Sequence, residues 1–281
     1  MTQPPGFPAL DFANSTDLPP AERDRLNAQV KSGDEFLARV DWRDRLHWQP
    51  NDRQLQLFSG LYRALLVGNR SQNLTRITDP DAFWEKHLWD SLRGLMAIGS
   101  LDELSSHECR AIDIGTGAGF PGLPMAIACP QWHVTLLDST RKKIAFVASA
   151  IESLSLENAR AIAERSEAFG QTQGERESYD LATLRAIGSA VVCAEYALPL
   201  VNVGGRVILY RGQWTEAETE ALSEVAEMLG GAIASIDAFE TPLTHSVRHG
   251  IVLEKRSPTP KAYPRLPGIP NRHPLGSEPQ R

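Results

Sequence analysis

The segment Asp113-Ile-Gly-Thr-Gly-Ala-Gly-Phe-Pro-Gly122 constrains the fold more than any other stretch of this chain. It follows Arg110–Ile114, a short apolar run closed by glycines, which reads as a strand, and a helix is predicted to start at Pro121. A strand entering a helix through a glycine loop opens a βαβ unit, and the glycines let the backbone turn tightly and approach a ligand. The pattern continues downstream. Strands are predicted at Val134–Asp138, Ala159–Ala163, Tyr179–Leu184, Arg206–Tyr210 and Arg248–Leu253. A helix at Arg141–Leu154 carries Ile144, Val147, Ala148, Ile151 and Leu154 on one face, and others are predicted over 189–200 and 215–229. Such alternation predicts an α/β fold with a doubly wound, mostly parallel, Rossmann-like sheet.

The remaining segments set the domain plan. Residues 1–20, polar and proline-rich, read as a flexible arm. Residues 21–100 read as an N-terminal helical region, with Leu57, Phe58, Leu61 and Leu65, and then Trp84, Leu88, Leu92 and Leu95, at helical spacing. A polar loop, Gly68–Pro80, separates those helices. The sheet core is expected over 101–256. The tail, 257–281, has a proline about every three residues, which excludes helix and central strand and predicts an extended, basic segment.

Composition excludes several classes. With 281 residues, 42% hydrophobic and 23% charged, the chain is not disordered and can bury a sizeable core. Three cysteines with no CxxC pair disfavour a zinc ribbon, an iron–sulfur site or a disulfide framework, and no metal is expected. No positively charged and apolar leader is present and no membrane span is visible, so a cytoplasmic location is expected. A net charge of −6 argues against a general nucleic-acid binder. Its distribution is uneven, however: +4 from Glu254 to Arg281 against −10 on the rest, a positive arm able to find phosphate locally.

The loop's ligand follows from its departures from other glycine loops. Phe120 occupies the sixth position where the dinucleotide GxGxxG has glycine, and no GxxxxGK[ST] occurs. Asp113 at the loop entrance repels a pyrophosphate and suits a cationic ligand with an amino group. S-adenosylmethionine has both properties and no phosphate. Asp138, 23 residues after Gly115, can accept ribose hydroxyls. The candidate cofactor residues here are Asp113, Gly115, Thr116, Gly117, Gly119, Phe120, Asp138 and Ser139. A ligand-free turn and a different nucleotide remain open at this point.

DIGTGAGFPGLPMAIACP followed by VTLLDSTRKKIAFV closely resembles the bacterial 16S rRNA guanine-N7 methyltransferases, the glucose-inhibited division B family. Asn73-Leu-Thr75, His87-Leu-Trp-Asp90-Ser-Leu92, Arg165-Ser-Glu167, Tyr179–Ala186 and the tail YPRLPGIPNRHPL also match, so the resemblance covers residues 50 to 275. The chain departs at Val67-Gly68-Asn69, where the family usually has Lys-Trp-Asn, and residues 1–50 match nothing. The resemblance implies S-adenosylmethionine-dependent methylation of N7 of one guanine in the 530 loop of small-subunit rRNA. It places cofactor contacts at Gly115, Phe120, Ser166, Glu167 and Arg185, with Asp138 at the ribose.

Guanine N7 carries a free in-plane lone pair, so methyl transfer needs alignment of the reacting atoms, about 3–3.5 Å apart, and no general base. Arg185, Asn73 and His87 are the candidate catalytic residues, with Asp90 beside them. A strand-end salt bridge for Arg185 and a structural His87 are the competing readings. Arg141, Lys142, Arg165, Arg265 and Arg272 are candidate RNA contacts, with Lys143 and Asn271 nearby; a solvated helix face and a free tail compete. Phe120 and Trp89 either stack a base or pack in the core. The expected substrate is 16S rRNA within the small ribosomal subunit, because the acidic body should bind naked RNA weakly. A small-molecule methyltransferase, a nucleotide-binding reductase and a non-catalytic ribosome-associated binder are the alternatives.

Overall fold

The computed structural model describes residues 19–276; residues 1–18, most of the expected N-terminal arm, lie outside the described residues. The N-terminal region holds α1 (Pro20–Arg39), α2 (Trp42–Leu46), α3 (Asp52–Gln72), α4 (Pro80–Phe83), a π-helical turn (Trp84–Trp89), α5 (Asp90–Leu95) and α6 (Leu101–Ser105). Then follow β1 (Cys109–Ile114), α7 (Gly122–Ala128), β2 (Trp132–Asp138), α8 (Arg141–Ser153), β3 (Ala159–Ala163) and α9 (Ser166–Phe169). The chain continues through β4 (Tyr179–Arg185), α10 (Ala190–Ala197), β5 (Val201–Arg211), α11 (Glu216–Met228), β6 (Gly231–Glu240), β7 (Val247–Lys255) and α12 (Ile269–Arg272).

The strands form one sheet in the order β3-β2-β1-β4-β5-β7-β6. The first five are parallel, and β7 runs antiparallel to both β5 and β6. Chain direction across the sheet reverses between β1 and β4, which opens a crevice at their carboxyl ends, where ligands of such sheets bind. Most residues of β1, β2 and β4 are buried because both faces of the central sheet are covered.

The N-terminal helices form a layer on one face. A capping box starts α3: Asn51 Oδ1 accepts from Gln54 N, and Gln54 Oε1 accepts from Asn51 N, both at 2.9 Å. Phe58, Leu61, Tyr62 and Leu65 of α3 join one core with Phe120 of the glycine loop, Leu123 of α7 and Phe146 of α8. Trp42 stacks on Phe58 at 5.6 Å and meets Trp84 edge-on at 6.1 Å. Buried Glu85, in the π-helical turn, accepts from Thr244 N and Thr244 Oγ1, both at 2.8 Å, and so fastens this layer to the β6–β7 connection.

Gly94 sets how closely α5 lies on β5. A Cβ there would stand 2.1 Å from Cε1 of buried Tyr210, whose hydroxyl donates to Ser91 O at 2.7 Å. Gly94→Ala is expected to cost about 2–3 kcal/mol by overpacking, read as a lower urea midpoint with unchanged slope.

Three expectations need correction. α3 continues through Gln72, so Gly68–Gln72 is helical; the helix stops at Asn73, whose φ of 48° is a left-handed cap. β6 was not expected. The tail is not wholly extended, because Pro270 sits in the first turn of α12, where a missing N–H costs nothing.

Candidate active site

A cavity of about 390 Å³ opens at the carboxyl ends of β1, β2, β3 and β4. Ile114 and Gly115 form its wall after β1, and Leu137 to Thr140 after β2, with Lys143 from α8. Glu164, Arg165, Ser166 and Glu167 follow β3, Ala186 to Gly188 follow β4, and Tyr196 and Asn271 complete it. The size suits a nucleoside-bearing small molecule.

The glycine loop is braced from beneath. Asp113 Oδ2 accepts from Thr116 Oγ1 at 2.6 Å and Gly122 N at 2.8 Å, and Oδ1 accepts from Thr183 Oγ1 at 3.1 Å. Asp113 is fully buried. Its expected contact with a cationic ligand is therefore corrected: both oxygens face protein donors, and the residue shapes the loop. Thr116 is likewise buried, its hydroxyl turned to Asp113. Gly115, at φ 68°, has no room for a side chain, since a Cβ would stand 2.2 Å from Ile187 Cδ1. Gly117 N donates to Asp138 Oδ2 at 3.1 Å, and Gly119 N to Thr116 O at 2.9 Å, so these two build the turn without lining the cavity.

Burial pushes the Asp113 carboxyl up from 3.8 to about 6, against the lowering effect of its hydrogen bonds and of Arg185. The folded protein then holds this proton more tightly than the unfolded chain. Its contribution to stability is full below the unfolded value and is lost as pH rises through about 6. Asp113→Asn keeps the loop's donors paired without a charge. The variant should gain about 3 kcal/mol relative to the parent chain between pH 4 and 6.5, measured by urea unfolding at intermediate pH values.

The acidic wall comes from other residues. Asp138 ends β2 and lines the cavity, its Oδ2 accepting from Gly117 N and its Oδ1, at 2.8 Å, from Thr140 N. Ser139, exposed, adjoins it. Glu164 follows the last residue of β3 and was missed; its place just past a strand end was the available signal. The 186–188 turn was also missed, and there Ala186 holds a left-handed φ of 56°. Ser166 and Glu167, the expected cofactor contacts after β3, line the cavity, but Glu167 Oε1 is occupied by Gly268 N of the tail at 2.8 Å.

A second cluster lies between the loop and the N-terminal layer. Phe120 leaves the cavity and stacks on His87, with ring centroids 4.2 Å apart and planes 13° apart. His87 Nε2 pairs with Thr75 Oγ1 at 3.2 Å, and its buried Nδ1 has no hydrogen-bond partner among the described residues. Burial, and then Arg185 and Lys86, push the His87 ring down to about 3, so it is neutral at working pH. Arg185, the last residue of β4, donates from Nη1 to Asp90 Oδ2 and Lys86 O, both at 2.9 Å, and its guanidinium carbon lies 5.9 Å from the Phe120 ring. Arg248 Nε stands 3.8 Å from Asp90 Oδ1. Arg185 is outside the cavity wall, and Asn73 is exposed in its capping position. Trp89 is buried, with Nε1 donating to Arg45 O, so it packs in the core and stacks on no exposed base.

Of the expected RNA contacts, Arg141, Lys142, Arg165 and Arg272 are exposed and adjoin or form the cavity rim. Arg265 needs correction: its Nε and Nη2 donate to Glu195 at 2.8 and 2.6 Å, so its guanidinium is held by a buried carboxylate.

A comparison with protein families decides the assignment. The sequence model of the family described as "GidB: rRNA small subunit methyltransferase G" matches residues 54–247. The chain belongs to this family. A ribosomal RNA small subunit methyltransferase G from Synechococcus sp. (strain JA-3-3Ab) is 57% identical over 240 residues, covering 85% of this chain and 92% of that protein. A second, from Synechococcus sp. (strain JA-2-3B'a(2-13)), is 54% identical over 260 residues, covering 92% and 96%. Among solved structures, a 16S rRNA (adenine(1408)-N(1))-methyltransferase from Catenulisporales acidiphilia aligns with a TM-score of 0.46 and 13% identity, over 56% of this chain and 93% of that one. The family match includes the glycine loop, the strand-end acids Asp138 and Glu164, and the His87–Phe120–Arg185 cluster.

Proposed function

We propose that this chain uses S-adenosylmethionine to methylate N7 of one guanine in the 530 loop of 16S rRNA, presented within the small ribosomal subunit. Membership of the methyltransferase G family carries the rRNA methyltransferase reading. The observation that favours this cofactor is the cavity's acidic wall, Asp138 and Glu164 beside a glycine loop. Carboxylates there repel phosphates and suit ribose hydroxyls and a cationic amino acid moiety. Gly115, Asp138, Ser139, Ser166 and Glu167 are the residues that would hold it.

S-adenosylmethionine, held by those residues, would supply an electrophilic methyl group on a sulfonium for the N7 lone pair. The chain's task is alignment. Neutral His87 stacks on Phe120 beside the loop, and Arg185, 5.9 Å from the Phe120 ring, ties the helical layer to the end of β4. Asn73, the exposed left-handed cap of α3, belongs to the same layer. Exposed Arg141, Lys142, Arg165 and Arg272 suit RNA phosphates around the rim. Among the described residues no helix is long and apolar enough to cross a membrane, in keeping with work in the cytoplasm beside ribosomes.

The test is labelled-methyl transfer to small subunits from a strain lacking this protein, alongside protein-free 16S rRNA. Subunits should be preferred by about tenfold or more at physiological salt, because an acidic body gains little from bare phosphate. Equal rates would remove the subunit from the proposal, and no transfer to either would point to a small-molecule substrate or a non-catalytic binder.

A further inference from the structure

The basic tail does not project from the body; it returns to the cavity. Lys255, buried at the end of β7, donates to Leu198 O at 2.6 Å and Glu177 Oε1 at 3.2 Å, and Glu177 Oε1 also accepts from Thr259 N at 2.6 Å. Arg176 donates to Thr259 O and Tyr263 O at 2.8 and 2.7 Å. Next, Arg265 is clasped by fully buried Glu195 through its guanidinium and, at 2.9 Å, its backbone N–H. Gly268 N is then held by buried Glu167. Three residues on, Asn271 stands in the cavity wall. Among the described residues its side-chain amide has no hydrogen-bond partner; its Oδ1 lies 3.8 Å from where a Cβ of Gly188 would be. Two buried carboxylates thus fix the backbone on which one unengaged amide meets the cavity.

We infer that residues 265–272 are a strap that completes the cofactor site, with Asn271 as a contact to bound S-adenosylmethionine and Glu195 and Glu167 as the positioning residues that hold the strap. This rests on the reading of the cavity as the cofactor site. An amide both donates and accepts, so it complements a wall otherwise rich in acceptors. Ligand binding that needs the strap in place also stabilises the strap, so cofactor must slow the opening of the tail.

The test uses the full chain without RNA. S-adenosylmethionine and S-adenosylhomocysteine are titrated by calorimetry into the parent chain, Asn271→Ala and Glu195→Gln, and tryptic cleavage at Arg272–His273 is timed with and without each. Asn271→Ala should weaken binding about fivefold, the effect of one hydrogen bond, with an unchanged melting temperature. Glu195→Gln should weaken it about tenfold and speed cleavage, while saturating cofactor slows cleavage of the parent chain. Parent-like affinity in Asn271→Ala together with cofactor-independent cleavage overturns the strap and leaves the cofactor cavity standing. A parent chain that binds neither compound overturns the cavity reading, and the strap with it.

Discussion

Asp113→Ala is expected to lose methyl transfer by at least about 100-fold and to destabilise the fold by about 3 kcal/mol. The carboxylate is the common acceptor for Thr116 Oγ1, Gly122 N and Thr183 Oγ1. The two hydroxyls can rotate towards other acceptors; Gly122 N–H cannot, and it is buried. Leaving it unpaired costs the desolvation of the group, and the lost side chain adds a void between β1 and α7. The turn that places Gly115 at the cavity then has no floor, so cofactor affinity falls with stability. Asp113→Asn separates shape from charge: it should keep most cofactor affinity. Urea unfolding of the three proteins near pH 4, where the parent carboxyl is largely protonated, and calorimetric titration at neutral pH check this. Asp113→Ala with parent-like stability and affinity would contradict the bracing role.

Arg185→Ala is the second large effect. Its guanidinium joins Asp90 and the Lys86 carbonyl, with the two side chains only 17% and 11% exposed. Removing one partner of so shielded a pair leaves the carboxylate facing Arg248 alone, at 3.8 Å. The expected cost is about 2–3 kcal/mol, below that of a fully buried pair because some solvent reaches both groups. Transfer should fall about 100-fold, because this link joins the helical layer to the end of β4 beside Phe120. The double variant Asp90→Ala/Arg185→Ala distinguishes the roles. Its stability should partly recover, since no unpaired carboxylate remains, while transfer should not. Recovery of transfer along with stability would show that the Arg185–Asp90 link is not needed for transfer.

The elements that could be read from sequence are those whose pattern has one physical meaning. A glycine cluster between an apolar run and a helix located β1, the loop and α7, and Asp138 was placed correctly at the end of β2. β6 was illegible because it is an edge strand with mostly exposed or half-buried positions, and a bulge between Ile233 and Ser235 breaks its alternation. The end of α3 was misjudged because Gly68 to Gln72 are polar yet tolerable in a helix; an αL cap at Asn73 ends it. Asp113 shows the limit for a site. Sequence places a carboxylate at a strand end, but the direction it faces depends on Thr183 and Gly122, 70 and 9 residues away. The tail misled in the same way: Arg265 reads as a free cation until Glu195, from α10, is set against it.

The most direct test of the central claim is the position of the methyl group. Small subunits lacking the modification are incubated with S-adenosylmethionine and the parent chain or Asp113→Ala, and the 16S rRNA is then mapped by cleavage at N7-methylguanine and by mass analysis of its fragments. The account predicts one N7-methylguanine, in the 530 loop, formed by the parent chain and absent with Asp113→Ala. A methyl group on another base or another atom, or none despite measured cofactor binding, would contradict it.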